Sequence, residues 1–270
     1  MVAINQWEQA ADSMYTLCGK DRIHPSTDGH LVMAYLFLKA QGLAGKPVAI
    51  SGIDGAGKKV TRSDNCRVSD LSVSSDNLTF TYEAKSLPYP IDTSYYDNEK
   101  HTQADALSVI SFMDEMNYEG LSVSGLSDGY YGLTIGGEFI GRFTARELER
   151  GINMALLQNT PQYKQAMKIR QMNEERWLKE RKMREFYWVE YNLMRKTGML
   201  WACDEAAVDT LRKYRPHDIF LQWNGDLWLQ YMHKGIREDC VNEQQNLVDR
   251  IYEQNKPIPL RIEIKKFTDL

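Results

Sequence analysis

The spacing of apolar residues changes abruptly at Gly45 and again at Thr144, and these two changes limit the fold more than any other feature. Between them, short runs at 67–73 and 78–82 alternate polar and apolar residues and are separated by turn-forming clusters. This pattern is typical of antiparallel strands. A glycine pair at 136–137 between two further runs is a strong hairpin signal. The middle of the chain is therefore expected to form a small antiparallel β-sandwich-like segment.

The last third has helical spacing instead. Thr144 and Glu147 form the sequence pattern of a capping box. Thr160 followed by Pro161 predicts the start of a long helix that continues to Gly198. Two or three more helices are expected, around 204–214, 218–234 and 239–254, and the tail at 260–264 alternates like a strand. These elements predict an α-helical segment that ends in one short strand.

Together the patterns predict an α+β chain of three parts. Residues 1–45 are the end of an α/β unit, residues 46–143 a β-rich module, and residues 144–270 a helical module with a short terminal strand. With 270 residues, the chain is long enough to bury a sizeable core in one or two domains.

Composition argues against several classes of partner. The net charge of -4 and a pI near 5.8 give no reason to expect nucleic acid or an anionic membrane. No apolar run reaches the length of a membrane-spanning helix. The four cysteines are scattered, without C-x-x-C or paired histidine spacing, so free thiols are expected rather than a zinc site. We predict neither a metal nor a cofactor.

Asp21 and His24 are the candidate catalytic residues. They lie three positions apart in a predicted loop, because Pro25 biases His24 toward extended backbone angles. A carboxylate in that position can accept the Nδ1–H of the imidazole and leave Nε2 free as a general base. The alternative is that His24 is an ordinary turn residue beside a proline.

The wider string DRIHPSTDGHLVMAYLFLKAQG resembles the last conserved block of the SGNH (GDSL) hydrolase family. By that resemblance His24 is the base of a Ser-His-Asp triad, Asp21 is its orienting carboxylate, and residues 1–45 are the remnant of an α/β hydrolase domain. His30, in the Gly-His pair that follows, is interpreted as structural. The strings NTPQYKQAM, NEER and LVDRIYEQNKP are similar to a bacterial subgroup with β-rich and helical segments after the hydrolase domain.

The family blocks that carry the nucleophilic serine and the oxyanion-hole residues do not occur in this chain. The resemblance therefore implies the C-terminal part of a serine esterase that acts on carboxyl esters and is inactive alone. Its expected partner is an ester substrate, with an acylated carbohydrate as one candidate, and the longer form would suit the periplasm or secretion. The alternative is a non-enzymatic β/helical module for binding or scaffolding.

The residues after Asp-x-x-His-Pro, 31–38, are apolar on all sides. Such a helix is expected to be buried, against a sheet. If the chain offers no such sheet, the apolar face is expected to be repacked or used for self-association.

Three motifs imitate other functions. Residues 52–58 match Gly-x-x-x-x-Gly-Lys, but Lys59 replaces the required Ser or Thr, so a glycine-rich hairpin turn is predicted. Residues 125–129 match the nucleophile elbow Gly-x-Ser-x-Gly, but a strand follows where the elbow needs a helix, so Ser127 is predicted to lie in a β-turn. Lysines and arginines along the long helix alternate with glutamates, which favours an ion-paired surface over a nucleic-acid site.

Overall fold

The chain folds as α+β, as predicted, with two β-sheets and a helical segment toward its C-terminal end. The computed structural model describes residues 1–19, 21–94 and 101–267. It contains two compact units. The first unit comprises Met1–Met167 and Lys256–Leu270, and the second comprises Lys168–Asn255.

The first unit contains all the strands found in the described residues. They are β1 Ala49–Asp54, β2 Lys59–Asp64, β3 Cys66–Val73, β4 Asn77–Ala84, β5 Glu119–Ser124, β6 Tyr130–Ile135, β7 Glu138–Thr144, β8 Ile152–Asn153 and β9 Leu260–Lys266. The helices that precede the long helix of the second half of the chain are α1 Val2–Glu8, α2 Thr27–Ala40, α3 Phe112–Glu115 and α4 Ala145–Arg150. Two 3-10 turns lie at Gln103–Ser108 and Met154–Leu156.

One sheet has the strand order β2-β1-β5-β8. β1 and β2 form an antiparallel hairpin, whereas β1 and β5 are parallel, with Ile53 opposite Val123. The expectation of purely antiparallel strands is wrong for this pair. Parallel neighbours need a long crossover connection, and here the chain from β2 to α3 supplies it.

The second sheet is antiparallel throughout, in the order β3-β4-β9-β6-β7. The predicted C-terminal strand is present and lies at the centre of this sheet. Ile262 of β9 is opposite Phe80 of β4 on one side and Ile135 of β6 on the other. The glycine pair at 136–137 makes the β6–β7 turn, and both glycines have positive φ angles, +59° and +85°. The predicted hairpin is confirmed.

The apolar faces of both sheets share one hydrophobic core, as expected for a sandwich-like segment. Its fully buried members include Ile53, Leu78, Phe80, Tyr82, Leu121, Leu133, Ile135 and Ile262. In β4 the alternation of the sequence has this physical basis, since Leu78, Phe80 and Tyr82 enter the core while the residues between them do not.

Helix α2 departs from its prediction. Leu31, Val32 and Tyr35 are buried, but Phe37 is 64% exposed, so the expectation of a helix buried on all sides against a sheet is wrong. The partner surface is the short segment 103–115, which covers one face of α2 only.

The second unit is helical. It contains most of the long helix α5 Pro161–Val189, a π-helical turn at Glu190–Met194, α6 Glu205–Tyr214, α7 Ile219–Tyr231 and α8 Lys234–Gln254. Thr160 caps α5 by accepting a hydrogen bond from the backbone N–H of Tyr163, as the Thr-Pro start predicts.

The helical unit has a buried carboxylate, Glu190, in its interior. Glu190 is 1% exposed. It accepts hydrogen bonds from the indole Nε1 of Trp228 (2.8 Å) and from the backbone N–H of Trp201 (2.9 Å). These bonds compensate for the cost of burying the carboxylate.

Within the part of the chain that the structure describes, no helix has the length and apolar character needed to cross a membrane. Whether α2 mediates self-association stays a prediction.

A second buried carboxylate, Glu119, lies in β5 of the first unit and is fully inaccessible. Its Oε1 accepts a hydrogen bond from the Tyr82 hydroxyl (2.9 Å), and the Gln162 amide nitrogen lies 3.4 Å from both carboxylate oxygens. Burial raises the pKa of Glu119 from 4.5 to about 7, because desolvation of the charge outweighs these hydrogen bonds.

We predict that Glu119 makes the first unit less stable as the pH rises. Because the pKa of Glu119 is higher in the folded chain than in the unfolded chain, the free energy of unfolding falls between pH 4.5 and about 7. The fall should be roughly 3 kcal/mol. Glu119→Gln should remove most of this dependence and be more stable than the wild type at pH 8, in urea unfolding followed by circular dichroism. Glu149→Gln, at an exposed position, is the matched control, and an unchanged pH profile in Glu119→Gln would contradict the prediction.

Candidate active site

The candidate site is a tight loop between α1 and α2. The backbone N–H of Gly19 donates to the carbonyl of His24 (2.7 Å), and that of Arg22 donates to the carbonyl of Gly19 (2.9 Å). Arg22 has a φ of +57°, which is uncommon for a residue with a side chain. A single antiparallel bridge pairs Cys18 with Pro25. The loop is therefore closed at its base by backbone hydrogen bonds.

Asp21 organises the interior of this loop. Its Oδ1 accepts hydrogen bonds from the backbone N–H groups of Ile23 (3.0 Å) and His24 (3.1 Å). Its Oδ2 lies 2.5 Å from Nδ1 of His24. The hydrogen bond to His24, followed by the two backbone hydrogen bonds, lowers the pKa of Asp21 from 3.8 to about 2. Asp21 therefore remains an ionised acceptor throughout the physiological pH range.

The imidazole is open to solvent. The side chain of His24 is 84% exposed and that of Asp21 is 47% exposed. When Nδ1 carries the proton and donates it to Asp21, the lone pair of Nε2 is available to a reacting group. The structure thus brings together the two residues that the sequence singled out. Their catalytic role remains a proposal.

A buried polar cluster joins the loop to α2. The sequence predicts that Ser26 or Thr27 is the N-cap of this helix, and Ser26 occupies that position. Ser26 is 3% exposed, and its backbone N–H donates to the carbonyl of Leu17 (3.2 Å), while its hydroxyl oxygen lies 3.2 Å from the same carbonyl oxygen. Asp28, 2% exposed, accepts hydrogen bonds from the Ser26 hydroxyl and from the backbone N–H of Gly29. Its other oxygen lies 3.6 Å from Nδ1 of His101. In the sequence, the signal of this cluster was Asp28, the second aspartate of the DRIHPSTDGH string. Its partner His101 is more than seventy positions away along the chain.

Gly29 lets helix and loop approach closely. A Cβ atom at this position would lie 2.0 Å from the carbonyl oxygen of Leu17, a separation that no side chain can accept. This close approach explains why the first residue of the Gly-His pair is a glycine. His30, the other member, is exposed on the first turn of α2.

The glycine-rich motif forms a turn, as predicted, and Ser127 lies in the loop that connects β5 to β6. Residues 55–58 connect β1 to β2, and no helix follows them that could hold phosphate. Ser127 lies between β5 and β6, so the strand-turn-helix of a nucleophile elbow is absent from this described segment. The Ser127 hydroxyl accepts a hydrogen bond from Nζ of Lys266 (2.7 Å).

The basic residues of α5 are paired with acidic ones, which supports the interpretation of an ion-paired surface. Pairs one helical turn apart join Arg170 to Glu174, Arg176 to Glu180, and Arg181 to Glu185. Lys179 pairs with Glu243 of α8 at 2.6 Å. Within the described residues, no cluster of three metal-ligating side chains is present.

Two comparisons with known proteins found a relative. A family model described as the C-terminal helical domain of diltiazem deacetylase matches residues 167–256. The solved structure of BT4096, a gut microbial diltiazem-metabolizing enzyme, matches with a TM-score of 0.93 and 42% sequence identity over 99% of this chain. This chain spans 60% of the length of that enzyme. Among the curated proteins, none matches.

These findings correct the family assignment. The predicted membership of the SGNH (GDSL) hydrolase family is wrong, because both matches are to a diltiazem-metabolizing enzyme and neither points to an SGNH fragment. The Asp-x-x-His-Pro string is short, and its spacing suits any loop in which a carboxylate caps a turn and meets a histidine. In the described part of residues 1–45 there are two helices and no strand of a doubly wound sheet. The expectation of an inactive esterase fragment has no support from either match.

We predict that Gly29→Ala destabilises the first unit by about 3 kcal/mol, because the new methyl group forces the loop away from α2. Gly19→Ala is the matched control in the same loop. Its added Cβ would lie 3.6 Å from the nearest atom, the carbonyl oxygen of His24, which is an ordinary contact. Thermal unfolding of the two variants side by side measures the difference. Equal melting temperatures would show that the close approach of Leu17 and Gly29 has no energetic weight.

Proposed function

We propose that this chain takes part in the hydrolysis of a carboxyl ester, with His24 as general base and Asp21 as the carboxylate that orients it. The observation that carries the proposal is the 2.5 Å hydrogen bond between Nδ1 of His24 and Oδ2 of Asp21. It fixes one nitrogen of an imidazole that is otherwise exposed and directs the basic lone pair to the other.

The chemistry follows from this geometry. Nε2 of His24 removes a proton from the attacking hydroxyl or water as the new C–O bond forms at the ester carbonyl. The resulting imidazolium lies beside the ionised Asp21, which stabilises its charge. His24 then returns the proton to the departing alkoxide as the old C–O bond breaks, which releases the alcohol. When water is the nucleophile, the same step leaves the free acid. When a hydroxyl group is the nucleophile, it leaves an acyl-enzyme, and water activated by His24 then hydrolyses this ester to release the acid and restore the hydroxyl.

The comparisons support the reaction class. The matched family model is named for a deacetylase, and the matched structure is that of a diltiazem-metabolizing enzyme. Removal of an acetyl group from an oxygen is the hydrolysis of a carboxyl ester. We therefore propose an acetyl ester as substrate class, with an acylated carbohydrate as the alternative.

The proposed reaction also needs a nucleophile that His24 can deprotonate. Among the described residues, the side chain hydrogen-bonded to the His24 ring is that of Asp21. We propose that the nucleophile is a water molecule or a hydroxyl group of the wider enzyme, since the matched chain is longer than this one.

Hydrolysis of an aryl acetate and of diltiazem tests the proposal. The 270-residue chain should be assayed alone and after mixing with the part of the diltiazem-metabolizing enzyme that lies outside the match. In whichever condition acetate is released, His24→Ala should lower the rate by about a hundredfold or more. Asp21→Asn should also lower it, because the amide no longer selects the Nδ1–H form of the imidazole.

His30→Ala is the matched control, since it removes a neighbouring exposed histidine outside the Asp21–His24 pair. It should hydrolyse the esters as the wild type does. Equal rates for His24→Ala and the wild type would overturn the assignment of the base. Absence of hydrolysis in both conditions would overturn the ester hydrolase proposal itself.

A further inference from the structure

The helical unit carries a groove that the proposed reaction does not use. It has a volume of about 320 Å³ and is lined by Trp177, Arg181, Arg184, Glu185 and Trp188 of α5 together with Asn224 of α7. The α5 residues recur at intervals of three, four and one, so they share one face of the helix. The groove is thus built from one long helix face and the side of its neighbour.

Aromatic rings form its apolar surface. Trp177 is 46% exposed, and the guanidinium of Arg184 lies 5.7 Å from its ring centre. The Trp188 ring lies 5.2 Å from that of Phe220, which meets Trp223 edge-on at 5.4 Å. Trp188 is therefore held in position by packing, whereas nearly half of the Trp177 side chain is exposed beside the guanidinium of Arg184.

Most of the charges around the groove are paired. Nε of Arg181 donates to Oε1 of Glu185 at 2.7 Å. Nε of Arg184 lies 3.8 Å from Oε1 of Glu180. The other oxygen of Glu180 accepts a hydrogen bond from Arg176 at 3.1 Å, so three arginines face two carboxylates. The single positive charge that is left is far less than a nucleic acid or a polyanion requires.

The groove is therefore lined by planar hydrogen-bonding groups that lie beside aromatic rings. The guanidinium groups donate, the Glu185 carboxylate accepts, and the Asn224 amide does both. A ligand that fits must offer hydroxyl groups as both donors and acceptors, together with C–H surface that packs on an indole. A purely apolar ligand would leave the polar groups unpaired, which is costly.

We infer that this groove binds a neutral oligosaccharide. A pyranose ring has an apolar face of C–H groups and a rim of hydroxyls, which matches the lining. Trp177 and Trp188 are eleven positions apart on one helix, a rise of roughly 16 Å, so the groove suits several linked sugars better than one. This inference does not depend on the proposed ester hydrolysis.

Titration of the full chain with neutral oligosaccharides, followed by tryptophan fluorescence and calorimetry, tests the inference. The probes are the hexasaccharides of glucose, xylose, mannose and N-acetylglucosamine. At least one should bind saturably, and Trp177→Ala should weaken its binding by about tenfold or more. Trp7→Ala is the matched control, since Trp7 is 80% exposed in the other unit, and it should bind as the wild type does.

Arg184→Met is the second variant, because it removes the donors but keeps the apolar stem, and it should also weaken binding. Circular dichroism confirms that each variant is folded. The inference is overturned if no neutral hexasaccharide binds at millimolar concentration, or if Trp177→Ala and Arg184→Met both bind as the wild type does. Binding of polygalacturonate or heparin in place of the neutral sugars would equally overturn it.

Discussion

The fold of the first unit depends on a strand from the far end of the chain. β9 lies between β4 and β6, with Ile262 paired to Phe80 and Ile135. Without it the five-stranded sheet would separate into two hairpins, and its buried apolar face would lose its centre. The β-rich core is therefore complete only after the helical unit, Lys168–Asn255, has been synthesised. Such long-range pairing has a high entropic cost of closure, which the shared core of both sheets must outweigh.

The candidate site depends on shorter contacts. Gly29 allows α2 to approach the carbonyl of Leu17, and the buried Ser26 bonds to the same carbonyl. These contacts hold the two ends of the loop together. Within the loop, the backbone N–H groups of Ile23 and His24 are then sufficient to hold the Asp21 carboxylate in place. His24 then has one preferred partner for Nδ1. Preorganisation of this kind lowers the cost of holding a general base in its reactive form.

The sequence predicted what depends on local chemistry. The Thr144–Glu147 capping box, the starts of α5, α6 and α7, the strand runs and the Asp21–His24 contact all arise from residues close together in the chain. The sequence predicts the start of α8 near residue 239, but the helix begins at Lys234. Features set by distant partners could not be predicted. These include the parallel β1–β5 pair, the burial of Glu119 and the short segment that covers one face of α2. The family assignment failed because a short string with sound local physics also occurs outside the family from which it was inferred.

The most direct test of the account is the protonation state of the His24 ring, measured by ¹⁵N–¹H NMR on the chain labelled at its histidines. In the neutral ring, Nδ1 should carry the proton and Nε2 should have the free lone pair. In Asp21→Asn this preference should disappear. A wild-type ring protonated at Nε2, or identical spectra for the two proteins, would contradict the claim that Asp21 prepares His24 as a base.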